Sequence, residues 1–132
     1  MWYYFQERRV EMNLNKRVGV VGSRIFTNYT QMCSILDKFV SEGDWIISGG
    51  AVGADSMGQR YAKEHGLRIL IIYPNYNHHG PGATFIRNKE IVEESTYVIA
   101  FYAKGKFQLG GTANTISWCQ KLGIAFDEYE EE

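Results

Sequence analysis

Cysteine is scarce. Cys33 and Cys119 are the only two in 132 residues, each lies in a helical pattern, and neither has the paired spacing of a zinc site, so both are expected to be buried thiols. Charge of one sign is missing too: the formal net charge is −1, which argues against a main role in gripping duplex DNA and leaves room only for a local basic patch. Long hydrophobic runs are absent, and no segment is long enough to span a membrane. The opening MWYYFQERRVEMNLNK is aromatic but broken by Gln6, Glu7, Arg8 and Arg9. It lacks the apolar core and small-residue cleavage site of a signal peptide, and a cytoplasmic protein is the expectation.

Hydrophobic residues make up 45% of the chain, enough for one domain with a real core. Apolar runs at 17–22, 44–48, 68–73 and 96–102 read as buried strands, with a short final strand at 124–126. Helical spacing fills 28–40, 54–65, 83–94 and 112–122. Thr27 or Asn28 caps the first of these, and Gly43, Gly66 and Gly123 mark helix ends. The segments 74–82 and 103–111 read as loops. Strands apolar throughout, alternating with helices, predict an α/β fold: a Rossmann-like three-layer α/β/α sandwich with a mostly parallel sheet of about five strands. The expected division is an aromatic extension (1–16) that packs on the domain surface or a second subunit, a single domain (17–127) and a solvated acidic tail (128–132).

Glycine turns follow three of the strands, on the sheet edge where ligands of such folds bind. Ser48-Gly49-Gly50-Ala51 leads through Gly53 to Asp55, Gly22-Ser23-Arg24 ends the first strand, and Gly110-Gly111-Thr112 opens the last helix. Such turns let backbone N–H groups approach an anion and aim helix N-termini at it. The Gly49–Asp55 run lacks the Gly-Lys-Ser/Thr ending of a P-loop and is not a clean GxGxxG, so an ordinary dinucleotide cofactor is not expected. Arg24 suits bidentate phosphate recognition, against the alternative of a plain surface arginine. Arg87-Asn88 points either into the cleft or outward to Glu90 or Glu94. Asp55 reads either as a site carboxylate or as a first-turn acid complementing the helix dipole, and Thr112 as a ligand contact or an N-cap. His78-His79 is expected to be an ordinary loop pair, and no metal or cofactor site emerges.

In this order the motifs VGVVGSR (18–24), IISGGAVGADSMGQRYA (46–62), GPGATFIRNKEIV (80–92), VIAF (98–101) and GGT (110–112) resemble the SLOG superfamily of Rossmann-like domains. That superfamily includes the Lonely Guy phosphoribohydrolases and the DNA-processing protein A, and the resemblance is greatest to the small YspA/YpsA-related branch. It implies a nucleotide or nucleotide-derived ligand, ADP-ribose-like ones included, held at the carboxyl edge, often by a homodimer or higher homo-oligomer. Arg87 fits the arginine that Lonely Guy enzymes place on the preceding helix. The positions of their acids after Gly111-Thr112 hold Asn114 and Thr115 instead.

Three functions follow. The first is a nucleotide-binding sensor or processor using Gly22, Ser23, Arg24, Ser48, Gly49, Gly50, Ala51, Gly53, Asp55, Arg87, Asn88, Gly110, Gly111 and Thr112. The second is a hydrolase of nucleotide N-glycosidic bonds, with Arg87 and either Asp55 or Glu90 as catalytic groups. The third, a single-stranded nucleic-acid binder, is disfavoured by the near-neutral charge.

Overall fold

The computed structural model describes residues 15–132; the aromatic extension, apart from Asn15 and Lys16, lies outside the described residues. Five strands alternate with helices: β1 (Arg17–Gly22), α1 (Tyr29–Phe39), β2 (Trp45–Ser48), α2 (Ala54–Glu64), β3 (Arg68–Ile71), α3 (Tyr76–His79), α4 (Ala83–Glu94), β4 (Tyr97–Tyr102), α5 (Gly110–Leu122) and β5 (Ala125–Glu130). The sheet order is β3-β2-β1-β4-β5 and every pairing is parallel. This is the Rossmann-like α/β fold expected from the strand pattern.

The strands are apolar throughout because each face has its own helical layer. Val18 and Val20 point to one side, with Met32 and Leu36 of α1 and Tyr61 and Ala62 of α2. Val21, Ile47, Val98 and Ala100 point to the other, with Ile91 and Val92 of α4 and Ile116 and Cys119 of α5. Asn28 is the cap of α1, its side chain accepting from the Gln31 N–H at 3.0 Å, and Gly123 ends α5 with φ of 71°. Cys119 is buried, which pushes its thiol up to about 11.

Two local expectations change. Part of the loop at 74–82 is helical: Asn75 caps the single turn of α3 through the His78 N–H at 3.1 Å, and a 3₁₀ turn covers Gly80–Gly82. The last strand is longer than 124–126. It runs to Glu130 in register with all of β4, Tyr97 opposite Ala125 and Tyr102 opposite Glu130. The acidic run from Asp127 is therefore sheet rather than solvated tail as far as Glu130. Its charges are tolerated because β4 supplies hydroxyl donors: Tyr97 donates to Asp127, and Tyr102 donates to Glu128 at 2.6 Å.

Beyond the carboxyl ends of the strands, the turns after β1, β2 and β4 converge where strand order reverses between β1 and β4. Among the described residues, no helix is long and apolar enough to cross a membrane.

Candidate functional site

The turns after β1 and β2 are fastened to each other before they hold anything else. The Ser23 carbonyl accepts from the Ala54 N–H, the first of α2, at 3.2 Å, and from the Phe26 N–H, also at 3.2 Å. The Ser23 hydroxyl accepts from the Ala103 N–H at 2.9 Å, tying the turn after β4 to the same point. Gly53, at φ of 78°, lies so near the β1 turn that a methyl group there would be 2.3 Å from the Arg24 carbonyl oxygen.

The glycine run at 48–55 is largely satisfied from within. The Gly50 N–H donates to the Ser48 hydroxyl at 3.4 Å, that hydroxyl donates to the Asp55 carbonyl at 3.1 Å, and the Ala51 N–H donates to the Asp55 carboxylate at 3.2 Å. Asp55 thus takes the Ala51 N–H, a donor that an external anion could otherwise use. Ser48 is fully buried. Of this run only Ala51 and Asp55 reach the cavity, while Ser48, Gly49, Gly50 and Gly53 build the wall behind it.

The cavity has a volume of about 860 Å³, within the range of small-molecule sites. Its walls bring together Gly22, Ser23 and Arg24 from the first turn, Arg87 and Asn88 from α4, and Gly110, Gly111 and Thr112 from the start of α5. Thr112 is not the N-cap. That position is Leu109, with no side-chain cap, and Thr112 lies buried in the first turn.

Arg87 is only 8% exposed. Its Nη1 donates to the Gly49 carbonyl and its Nε to the Asn88 Oδ1 at 3.1 Å. The Asn88 Nδ2 donates in turn to the Asn114 Oδ1 at 3.1 Å and the Gly111 carbonyl at 3.3 Å. Asn88 is therefore a brace that fixes the guanidinium and links α4 to α5, and Asn114 has a part in that brace. The outward pairing of Arg87 with Glu90 or Glu94 does not occur. Glu90 is exposed and lines no part of the cavity.

No carboxylate among the described residues forms an ion pair with Arg87. Asp55 lies on the other side of Gly49: a methyl group at that glycine would be 2.8 Å from both the Arg87 Nη1 and the Asp55 Oδ2. Burial pulls the Arg87 guanidinium below its usual range, with the Asp55 charge opposing. Burial also pushes the Asp55 carboxyl up to about 6, against the Ala51 N–H, Arg87 and Arg24, which favour its ionised form. A fixed, desolvated cation without an ion pair, facing an open cavity, favours an incoming anion.

The raised Asp55 carboxyl makes stability depend on pH. The folded state holds this proton more tightly than the unfolded chain does, so the stabilisation present below about pH 4 is lost as pH rises through about 6. Asp55→Asn, which retains an acceptor for the Ala51 N–H, is expected to be more stable than the parent by about 1–3 kcal/mol at pH 7.5. Its advantage disappears near pH 4. Urea denaturation at the two pH values measures both, and a variant less stable at pH 7.5 would show that the Arg87 attraction outweighs desolvation.

Several wall residues were not among the predicted site residues. Lys106 comes from the polar loop after β4, and Ile25, Phe85 and Leu109 are apolar yet 56–63% exposed. Their one sequence signal is position, since each lies within or just after a turn at the carboxyl edge.

The family model described as DNA recombination-mediator protein A matches residues 2–113. No curated protein matches the chain. Among solved structures, the X-ray structure of DNA processing protein A from Streptococcus pneumoniae is similar at 18% identity with a TM-score of 0.49. The alignment covers 86% of this chain and 58% of that one, so this chain spans less than two thirds of that protein's length.

Proposed function

The chain belongs to the DNA recombination-mediator protein A family, and from that premise we propose that it binds a nucleotide or nucleotide-derived ligand in the cavity at the carboxyl edge. Within the SLOG superfamily we read it as nearest the YspA/YpsA-related branch, on the motif set from 18 to 112.

The observation that carries the proposal is Arg87: buried, braced by Asn88 and Gly49, without an ion pair among the described residues, and lining the cavity. Phosphate is the complementary guest. Arg24 at the rim adds a second cation, and the uncapped start of α5 adds backbone donors. Phe85, 56% exposed at the same cavity, offers a face for a base. Binding without turnover is the reading we favour. Among the described residues Asp55 is the one carboxylate that lines the cavity, and the positions of the Lonely Guy acids after Gly111-Thr112 hold Asn114 and Thr115.

The family's name supports a second reading, in which the bound nucleotide is part of a single strand of DNA. Net charge alone weighs less against this than the family match weighs for it. Calorimetric titration with AMP, ADP-ribose and a short oligothymidylate separates the two. Saturable binding of a mononucleotide without release of free base is the expected result. Binding of the oligonucleotide alone, weakening steeply with salt, would transfer the assignment to single-stranded DNA. Absence of binding by all three would remove both.

A further inference from the structure

The segment between β4 and α5, Ala103–Leu109, is exposed from Lys104 onward. It contributes Lys106 and Leu109 to the cavity. Gly105 at φ of 79° and Gly110 at φ of 71° flank Lys106–Leu109, and a methyl group at either would meet nothing within 4 Å. Between them Gln108 sits at φ of 59°, left-handed backbone that a non-glycine residue adopts only when its surroundings hold it.

Two things hold it: its own turn, in which the Leu109 N–H donates to the Lys106 carbonyl at 3.1 Å, and the last strand. The Glu130 carboxylate accepts from the Gly105 N–H at 2.9 Å. The Glu128 carboxylate accepts from the Gln108 Nε2 at 3.2 Å and from the Tyr102 hydroxyl at 2.6 Å. Phe107 rests edge-on against Tyr102 with ring centroids 5.3 Å apart. These contacts leave Leu109 56% and Phe107 41% exposed. The segment is thus pinned through its backbone and through Gln108, while its apolar side chains face outward.

We infer that Lys106–Leu109 is a flap hinged at Gly105 and Gly110, and that Glu128 and Glu130 of β5 are positioning residues that hold Lys106 at the cavity. The hinges supply backbone freedom and the two carboxylates select one position. Lys106 then adds a cation to the cavity that Arg24 also lines, and Leu109 lies in the same wall. The ligand half of this inference rests on the nucleotide reading; the latch itself does not.

Amide hydrogen exchange tests the latch in the free protein. Glu130 is exposed, so its replacement leaves the core packing intact. Glu130→Ala removes one charge-assisted hydrogen bond and is expected to speed exchange of the Gly105 amide and its flap neighbours by about tenfold. Exchange in β1 and β4 stays as before, and Glu130→Gln, which keeps an acceptor, restores much of the protection. Gln108→Ala, cutting the Glu128 contact from the flap side, is expected to act in the same direction.

Titration with AMP reads the consequence. Glu130→Ala weakens binding by no more than Lys106→Ala does, and the double variant is no weaker than Lys106→Ala alone, because both act through one ammonium. Unchanged flap exchange in Glu130→Ala and Gln108→Ala overturns the latch. Additive losses in the double variant overturn the positioning of Lys106. If AMP fails to bind even the parent protein, the nucleotide reading falls while the exchange result still decides the latch.

Discussion

Arg87→Ala weakens AMP binding by about a hundredfold, the effect expected when a buried guanidinium contacting phosphate is removed. The guanidinium is held at Nε by Asn88 and at Nη1 by the Gly49 carbonyl, which leaves Nη2 to meet a ligand without reorganisation. Arg87→Lys recovers little, because an ammonium cannot hold the Asn88 and Gly49 contacts and a phosphate in the same fork geometry. Two effects on stability oppose each other. The variant loses the tie between α4 and the β2 turn, and it also removes a desolvated charge that has no ion pair among the described residues. A net change below about 2 kcal/mol is expected. Titration calorimetry and a thermal melt on one preparation measure both quantities. Unchanged AMP affinity in a folded Arg87→Ala protein would dismiss the phosphate role.

Gly53→Ala is expected to abolish folding, or to cost about 3 kcal/mol or more. Two causes add. The backbone there, φ of 78° with ψ of −129°, is one that L-residues avoid. The added methyl would also lie 2.3 Å from the Arg24 carbonyl oxygen and 2.5 Å from that of Ser23. Both obstacles are main-chain atoms, which cannot rotate away as the end of a side chain can. The displaced strand would also carry off the Ser23 carbonyl that accepts from the Ala54 N–H. Circular dichroism with urea titration checks this, and a Gly53→Ala protein with the parent's midpoint would contradict the tight apposition of the two turns.

The fold was legible because its signals are local and repeated. Val18, Val20 and Val21 in one run require burial on both faces, and Asn28 and Gly123 mark helix ends by chemistry each residue carries alone. Glu128 and Glu130 misled for the opposite reason. Acids in sequence read as solvated, whereas their partners, Tyr102, Gln108 and the Gly105 amide, come from elsewhere in the chain. The site shows the same division. Its glycine turns and Arg87 were visible as motifs. The bonds of Ser48 and Gly50 are closed within their own turn, whereas the bracing by Asn88 and the outward placement of Glu90 depend on the packing of α4 against its neighbours. Lys106 and Leu109 were invisible for a related reason: the loop that brings them to the cavity is held by β5 contacts that spacing does not reveal.

The central position of β1 bears on how the chain acquires its structure. β1 pairs with β2 on one side, Val18 beside Ile46, and with β4 on the other, Val18 beside Tyr97. During synthesis the first edge is matched early, while the second waits until β4 has emerged. Through that interval a fully apolar strand end, Val18 to Val21, keeps an open hydrogen-bonding edge. Long-range parallel pairing is intrinsically slow, and an unpaired apolar edge invites other chains. Overexpression at high temperature is the regime in which this waiting strand competes with aggregation. Slower synthesis or lower temperature favours the arrival of β4, and with it the closing of the sheet.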